Sequence, residues 1–160
     1  MVAEKLMEFL DQEKVSYQII RHTPSYTAQG VAAATHISGK ELVKTVIIKI
    51  NGIFAMAVVS ASGRVDIPAM RRELGTLDIV LASEAEFKDR FPGCETGAMP
   101  PFGNLYGMAV IADNSVTLDE EIAFNAGSHA EVVRLAYRDF ERLVAPRIMR
   151  ICTLPSPVAA

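Results

Sequence analysis

A chain of 160 residues, half of them hydrophobic and 22% charged, with a net charge of −3, has the length and apolar content for one packed domain. The slightly negative balance excludes a protein that grips nucleic acid along its whole surface, though not a small positive pocket for the end of one. Cys94 and Cys152 form no CxxC pair, the acidic opening stretch (Glu4, Glu8, Asp11, Glu13) is no signal peptide, and no apolar run approaches the ~20 residues that span a bilayer. A cytoplasmic domain over 1–153 without membrane partners is expected, with 154–160, which carries Pro155 and Pro157, as a flexible tail.

Val2, Leu6, Phe9 and Leu10 fall at helical spacing, so the chain opens on an amphipathic helix. A short strand at 17–20 ends at His22-Thr23-Pro24, and Thr27 caps an alanine-rich helix through 34. Residues 42–50 and 53–59 read as two strands of a hairpin turned by Asn51-Gly52, the second apolar on both faces and therefore near the sheet centre. Asp66 with Pro68 starts a helix to about residue 74; Ser83 with Glu86 three residues later is a capping box that starts another. Residues 93–103 form a loop with three glycines and two prolines. Short strands follow at 107–112, 121–125 and 131–135, then a helical turn at 139–144 and a strand at 148–151. Many short strands with interspersed helices predict an α+β domain around a mixed or barrel-like sheet.

Within the strand at 42–50, alternation puts Lys44 on one face with Leu42, Val46, Ile48 and Ile50, the only polar member. Alone, Lys44 reads equally as a strand-end lysine with a solvated head or as a cation lining a cleft. The stiff segment Gly97-Ala98-Met99-Pro100-Pro101-Phe102-Gly103 is a surface turn or a frame that presents backbone N–H groups to an anion or carbonyl. Phe124-Asn125-Ala126-Gly127-Ser128-His129 is a hairpin turn or a cluster of amide, hydroxyl and imidazole. G-x-S-x-G, G-x-G-x-x-G, H-E-x-x-H and P-loop patterns are missing, and His22, His36 and His129 lack zinc-site spacing, so neither metal nor cofactor is expected.

In this order and spacing, His22-Thr23-Pro24 with Thr27, Val43-Lys44-Thr45, Gly97-x-x-x-Pro101-Phe102-Gly103 and Phe124-Asn125-Ala126-Gly127-Ser128-His129 resemble the YbaK/EbsC family of aminoacyl-tRNA deacylases, related to the editing domain of bacterial prolyl-tRNA synthetases. The resemblance covers about residues 1 to 150. It implies the family's α+β fold with a central mixed, barrel-like sheet, and trans hydrolysis of an amino acid wrongly esterified to tRNA. It implies catalytic roles for Lys44, Gly97 and Pro101. It implies a substrate pocket of His22, Thr27, Thr45, Ala98, Phe102, Gly103, Asn125, Gly127, Ser128 and His129. Cysteine, alanine, serine and threonine are all open as the ester, with tRNA-Pro the first tRNA considered. The implied partner is the tRNA 3′ acceptor end, with a synthetase or elongation factor as carrier and no DNA. Lys40, Lys44, Arg71 and Arg72 are candidates for phosphate contact. Two other readings keep the fold without the chemistry: a module that binds tRNA ends or a synthetase, and a small-metabolite binding domain.

Overall fold

The computed structural model describes residues 2–153. The first helix, α1 (Glu4–Gln12), buries Leu6 and Leu10 as its spacing predicts, and the chain returns through β1 (Tyr17–Arg21) and α2 (Ala28–Thr35). The Thr27 hydroxyl caps α2 by accepting from the Gly30 N–H at 3.0 Å. The hairpin β2 (Val43–Ile50) and β3 (Ile53–Ser60) turns on Asn51 and Gly52, both at positive φ, as an Asn-Gly turn requires. Next come β4 (Arg64–Val65), α3 (Ile67–Leu74), β5 (Ile79–Leu81) and α4 (Glu84–Phe87). Asp66 caps α3, and Ser83 and Glu86 close the expected capping box on α4. The remainder is β6 (Ala109–Asp113), β7 (Glu121–Ser128), β8 (Glu131–Ala136), α5 (Tyr137–Val144), β9 (Arg147–Met149) and β10 (Cys152–Thr153).

One sheet runs β5-β2-β3-β6-β9, with antiparallel pairing around the hairpin and parallel pairing of β6 to β3 and β9. β3 lies at its centre, matching its two apolar faces. A second sheet, β1-β8-β7, is antiparallel, and β10 pairs with β4. The fold is therefore mixed α+β as expected, but among the described residues no sheet closes into a barrel: β5 and β9 remain edges. β4, β5 and β10 are two or three residues long, too short to leave a sequence period. The segment expected as a tail, 154–160, lies outside the described residues.

The largest core fills the space between the two sheets, beneath α1 and α5. At its hub Phe102, fully buried, meets the rings of Phe9, Phe124 and Phe140 at 6.2, 5.6 and 5.7 Å. A second core, with Met70 of α3 and Ile151, covers the opposite face of β2 and β3. The sheets meet where Leu42 bridges Ala123 and where the Ala123 N–H donates to the Glu41 carbonyl at 2.9 Å. Several of the residues expected at the site gather beside this seam.

Candidate active site

Lys44 stands near the start of β2, half-buried, in the wall of the seam. Burial pushes its pKa below the ordinary lysine range; Cys152 beside it opposes the shift and the Arg64 cation adds to it. Among the described residues the ammonium has no hydrogen-bond or ion-pair partner. A desolvated cation with no internal anion is poised for an external one.

The glycine–proline loop is tied to β7 by backbone hydrogen bonds. The Gly127 N–H donates to the Ala98 carbonyl at 2.7 Å, and the Glu95 N–H donates to the Gly127 carbonyl at 2.8 Å. This is possible because β7 bulges between Asn125 and Ser128, with Gly127 at φ +100 and so close to Ala3 that a Cβ would lie 2.9 Å from the alanine's own. The segment expected as a turn is thus mostly strand, and the actual turn is His129-Ala130. His129 is held twice: its backbone N–H donates to Glu95 Oε2 at 3.0 Å, and its ring Nε2 lies 2.8 Å from the Thr96 carbonyl. A carbonyl only accepts, so Nε2 carries the hydrogen and Nδ1 faces away from that bond. Gly97, at φ +88, directs its N–H to Met99 Sδ at 3.2 Å, a weak acceptor that a substrate oxygen would outcompete.

These elements line two spaces that share residues. An open pocket of about 290 Å³ is lined by Tyr26, Thr27, Lys44, Thr45, Ala61, Gly97, Asn125 and His129. A cavity of about 20 Å³ shares Lys44, Thr45, Gly97 and Asn125 with it and is walled by Val43, Met99 and Phe124. Three residues of these linings carry a buried polar atom with no partner among the described residues: Thr45 Oγ1, Asn125 Oδ1 and His129 Nδ1. Buried polar atoms are nearly always hydrogen-bonded, so three orphans on residues of adjoining linings single this region out as a candidate site for a polar group. A groove of about 700 Å³ elsewhere shares no residue with this pocket. Two of its three acids, Asp66 and Asp113, are already occupied by the Ala69, Ile151 and Ser115 N–H groups.

Of the residues expected at the site, Lys44, Thr27, Thr45, Gly97, Asn125 and His129 line the pocket. The others do not. Pro101 and Phe102 are buried behind the loop, and Gly103 packs so tightly that a Cβ would sit 2.4 Å from the Met108 carbonyl oxygen. Ala98 is fully buried, Gly127 shapes the bulge, and the Ser128 hydroxyl donates to Glu131 and accepts from the Ala130 N–H. His22 sits past the end of β1, its backbone N–H on the Ala130 carbonyl and its Nδ1 2.8 Å from the Thr23 carbonyl. Among the cations, Arg71 donates to the Ile79 carbonyl and Arg72 lines the separate groove. Sequence reasoning passed over Tyr26, Ala61 and Glu95. Tyr26 sits beside the helix cap Thr27, but an exposed aromatic next to a cap leaves no periodic signal; Glu95 had none.

The model of the aminoacyl-tRNA editing domain family matches residues 22–143. The multifunctional Ser/Thr-tRNA deacylase ProXp-y of Escherichia coli K12 is 28% identical over 151 residues, covering 91% of this chain and 90% of the relative. The prolyl-tRNA editing protein ProX of Acetoanaerobium sticklandii is 23% identical over 141 residues, covering 84% and 85%. The fold matches two crystal structures. One, a hypothetical protein, APE2540, has a TM-score of 0.83 at 19% identity, over 94% of this chain and 100% of that one. The other, provisionally named a trans-editing enzyme for prolyl tRNA synthetase, has a TM-score of 0.81 at 17% identity, over 94% and 96%. The family match spans the seam, both pocket walls and the tethered loop, and the chain belongs to the aminoacyl-tRNA editing domain family.

Proposed function

We propose that this chain removes a small hydroxyl-bearing amino acid, serine ahead of threonine, from mischarged tRNA. Aminoacyl-tRNA deacylation in trans follows from the family and from relatives named for that activity, and a purely non-catalytic module is not favoured. The finer reading rests on one observation: Thr45 and Asn125, whose Oγ1 and Oδ1 are buried with no partner among the described residues, both line the 20 Å³ cavity, where little more than a hydroxymethyl group fits. Asn125 Oδ1 accepts and Thr45 Oγ1 either donates or accepts, which suits a substrate hydroxyl that does both. The additional methyl group of threonine must turn into the larger pocket. Alanine leaves both atoms unpaired, the arrangement by which a polar site rejects an apolar analogue.

In this reading Lys44 neutralises charge at the reacting end, as a point cation on the terminal phosphate or on the carbonyl oxygen that becomes negative as water adds. The Gly97 N–H is the backbone donor for the same oxygen. His129 Nδ1 accepts from a polar hydrogen in the pocket. Pro101, Phe102 and Gly103 act by holding the loop. The tRNA body meets a surface with little excess positive charge, so delivery by a synthetase or elongation factor is part of the proposal, with tRNA-Pro the first tRNA to test.

The test is a panel of tRNA-Pro charged with serine, threonine, cysteine, alanine or proline. Serine and threonine should leave at least about tenfold faster than alanine, and Lys44→Ala should lose turnover while its circular dichroism stays native. Faster release of alanine than of serine would sink the hydroxyl reading.

A further inference from the structure

Tyr26 is 77% exposed at the mouth of the pocket, yet its ring is held rather than loose. One face leans on the His129 ring, centroids 4.7 Å apart and planes at 50°. The backbone fixes the contact, because the Ser25 N–H donates to the His129 carbonyl at 3.0 Å and the next residue, Thr27, caps α2. The imidazole beneath is itself anchored by Nε2 on the Thr96 carbonyl, and the His129 backbone by its N–H on Glu95. An exposed aromatic ring held in one orientation at a pocket mouth is the arrangement by which proteins stack a nucleobase.

The chemistry of the ester says which ring. The amino acid is attached to a ribose hydroxyl, and the nucleobase sits on C1′ of that same ribose. When the side chain enters the small cavity and the ester lies between Lys44 and Gly97, the base is one nucleoside length away, at the pocket mouth. We propose that the open face of Tyr26 is the stacking platform for the 3′-terminal adenine of the acylated tRNA, with His129 as its backing. The assignment rests on the deacylase reading for the identity of the ligand. It makes Tyr26 a positioning residue: it holds the nucleoside and takes no part in bond breaking. Stacking is indifferent to the amino acid, so Tyr26 serves affinity while Thr45 and Asn125 serve choice.

Two measurements test this. With seryl-tRNA as substrate, Tyr26→Ala should raise KM about 5- to 150-fold, the loss expected of one base stack, with kcat nearly unchanged, and Tyr26→Phe should restore wild-type KM. The chain has no tryptophan, so Tyr26→Trp introduces a single reporter at the platform. Its fluorescence should be quenched by a CCA trinucleotide and not by the same trinucleotide with an abasic 3′ nucleoside. An unchanged KM in Tyr26→Ala, or equal quenching by both trinucleotides, overturns the platform. Should the wild type hydrolyse no mischarged tRNA while Tyr26→Trp still distinguishes the two trinucleotides, the deacylase reading falls and the platform stands.

Discussion

Replacing Thr45 with valine should move stability and activity in opposite directions. Valine keeps the branched shape that suits β2 and exchanges the orphaned Oγ1 for a methyl group. A buried polar group without a partner costs about 1–3 kcal/mol. Thr45 as a residue is only half-buried, so the lower end applies and Thr45→Val should gain about 1 kcal/mol. In a chain of this length that is a rise in Tm of about 2–4 °C. The same exchange removes one neutral hydrogen bond to the substrate hydroxyl, worth about 0.5–1.5 kcal/mol, so kcat/KM for seryl-tRNA should fall about 2- to 13-fold. Release of alanine should not change. The assay pairs thermal melts followed by circular dichroism with single-substrate deacylation of the two esters. A variant less stable than wild type, or one that loses serine and alanine release equally, would refute the idea that the hydroxyl is held unpaired for substrate.

Gly97→Ala places a side chain at φ +88, a strain of about 1–3 kcal/mol. The new methyl meets His129 Cε1 at an ordinary 3.5 Å, so the backbone and not a clash carries the effect. If the Gly97 N–H stabilises the oxyanion, kcat should drop by about 10² alongside a lowered Tm; a lowered Tm with native kcat would remove Gly97 from the chemistry. Glu86 tests the distant edge of the sheet. The Lys49 ammonium first, then the Ser83 N–H and hydroxyl, hold its pKa down to about 2 from 4.5. A carboxyl depressed by folding stabilises the fold above pH 4.5 and loses that effect as pH falls toward 2. The Tm advantage of wild type over Glu86→Gln should therefore be present at pH 6 and shrink through that window. An advantage equally large at pH 2 would contradict the ion pair.

Most of the architecture was legible because its signals are local. Asn51-Gly52, Asp66 with Pro68, and Ser83 with Glu86 each specify their turn or cap within four residues, and the structure has all three. The two- and three-residue strands were not legible, since pairing partners far along the chain create them: Cys152 with Val65, and Ile79 with Ile50. Lys44 was visible as a charge in an apolar alternation, and Gly97 and His129 through the family pattern. The division of the glycine–proline loop was not: Gly97 faces the pocket while Pro101, Phe102 and Gly103 turn into the core. Sequence shows that a loop is stiff, not which of its residues look outward. Tyr26 escaped for a related reason, because its placement depends on a hydrogen bond from Ser25 to His129, over a hundred residues downstream.

The small cavity draws its walls from three separate pieces of chain: Val43 and Thr45 on β2, Phe124 and Asn125 on β7, Gly97 and Met99 on the loop. β2 and β7 belong to different sheets, joined at the Leu42–Ala123 bridge. A space of 20 Å³ between two slabs is set by the angle at which they meet, and a fraction of an ångström there is a large fraction of its volume. If this cavity takes the amino-acid side chain, as proposed, substrate choice is inherited from the aromatic packing that sets the slab angle as much as from the lining. A new preference can arise by resizing Phe9, Phe124 or Phe140 around Phe102, leaving every polar contact with the amino acid as it was.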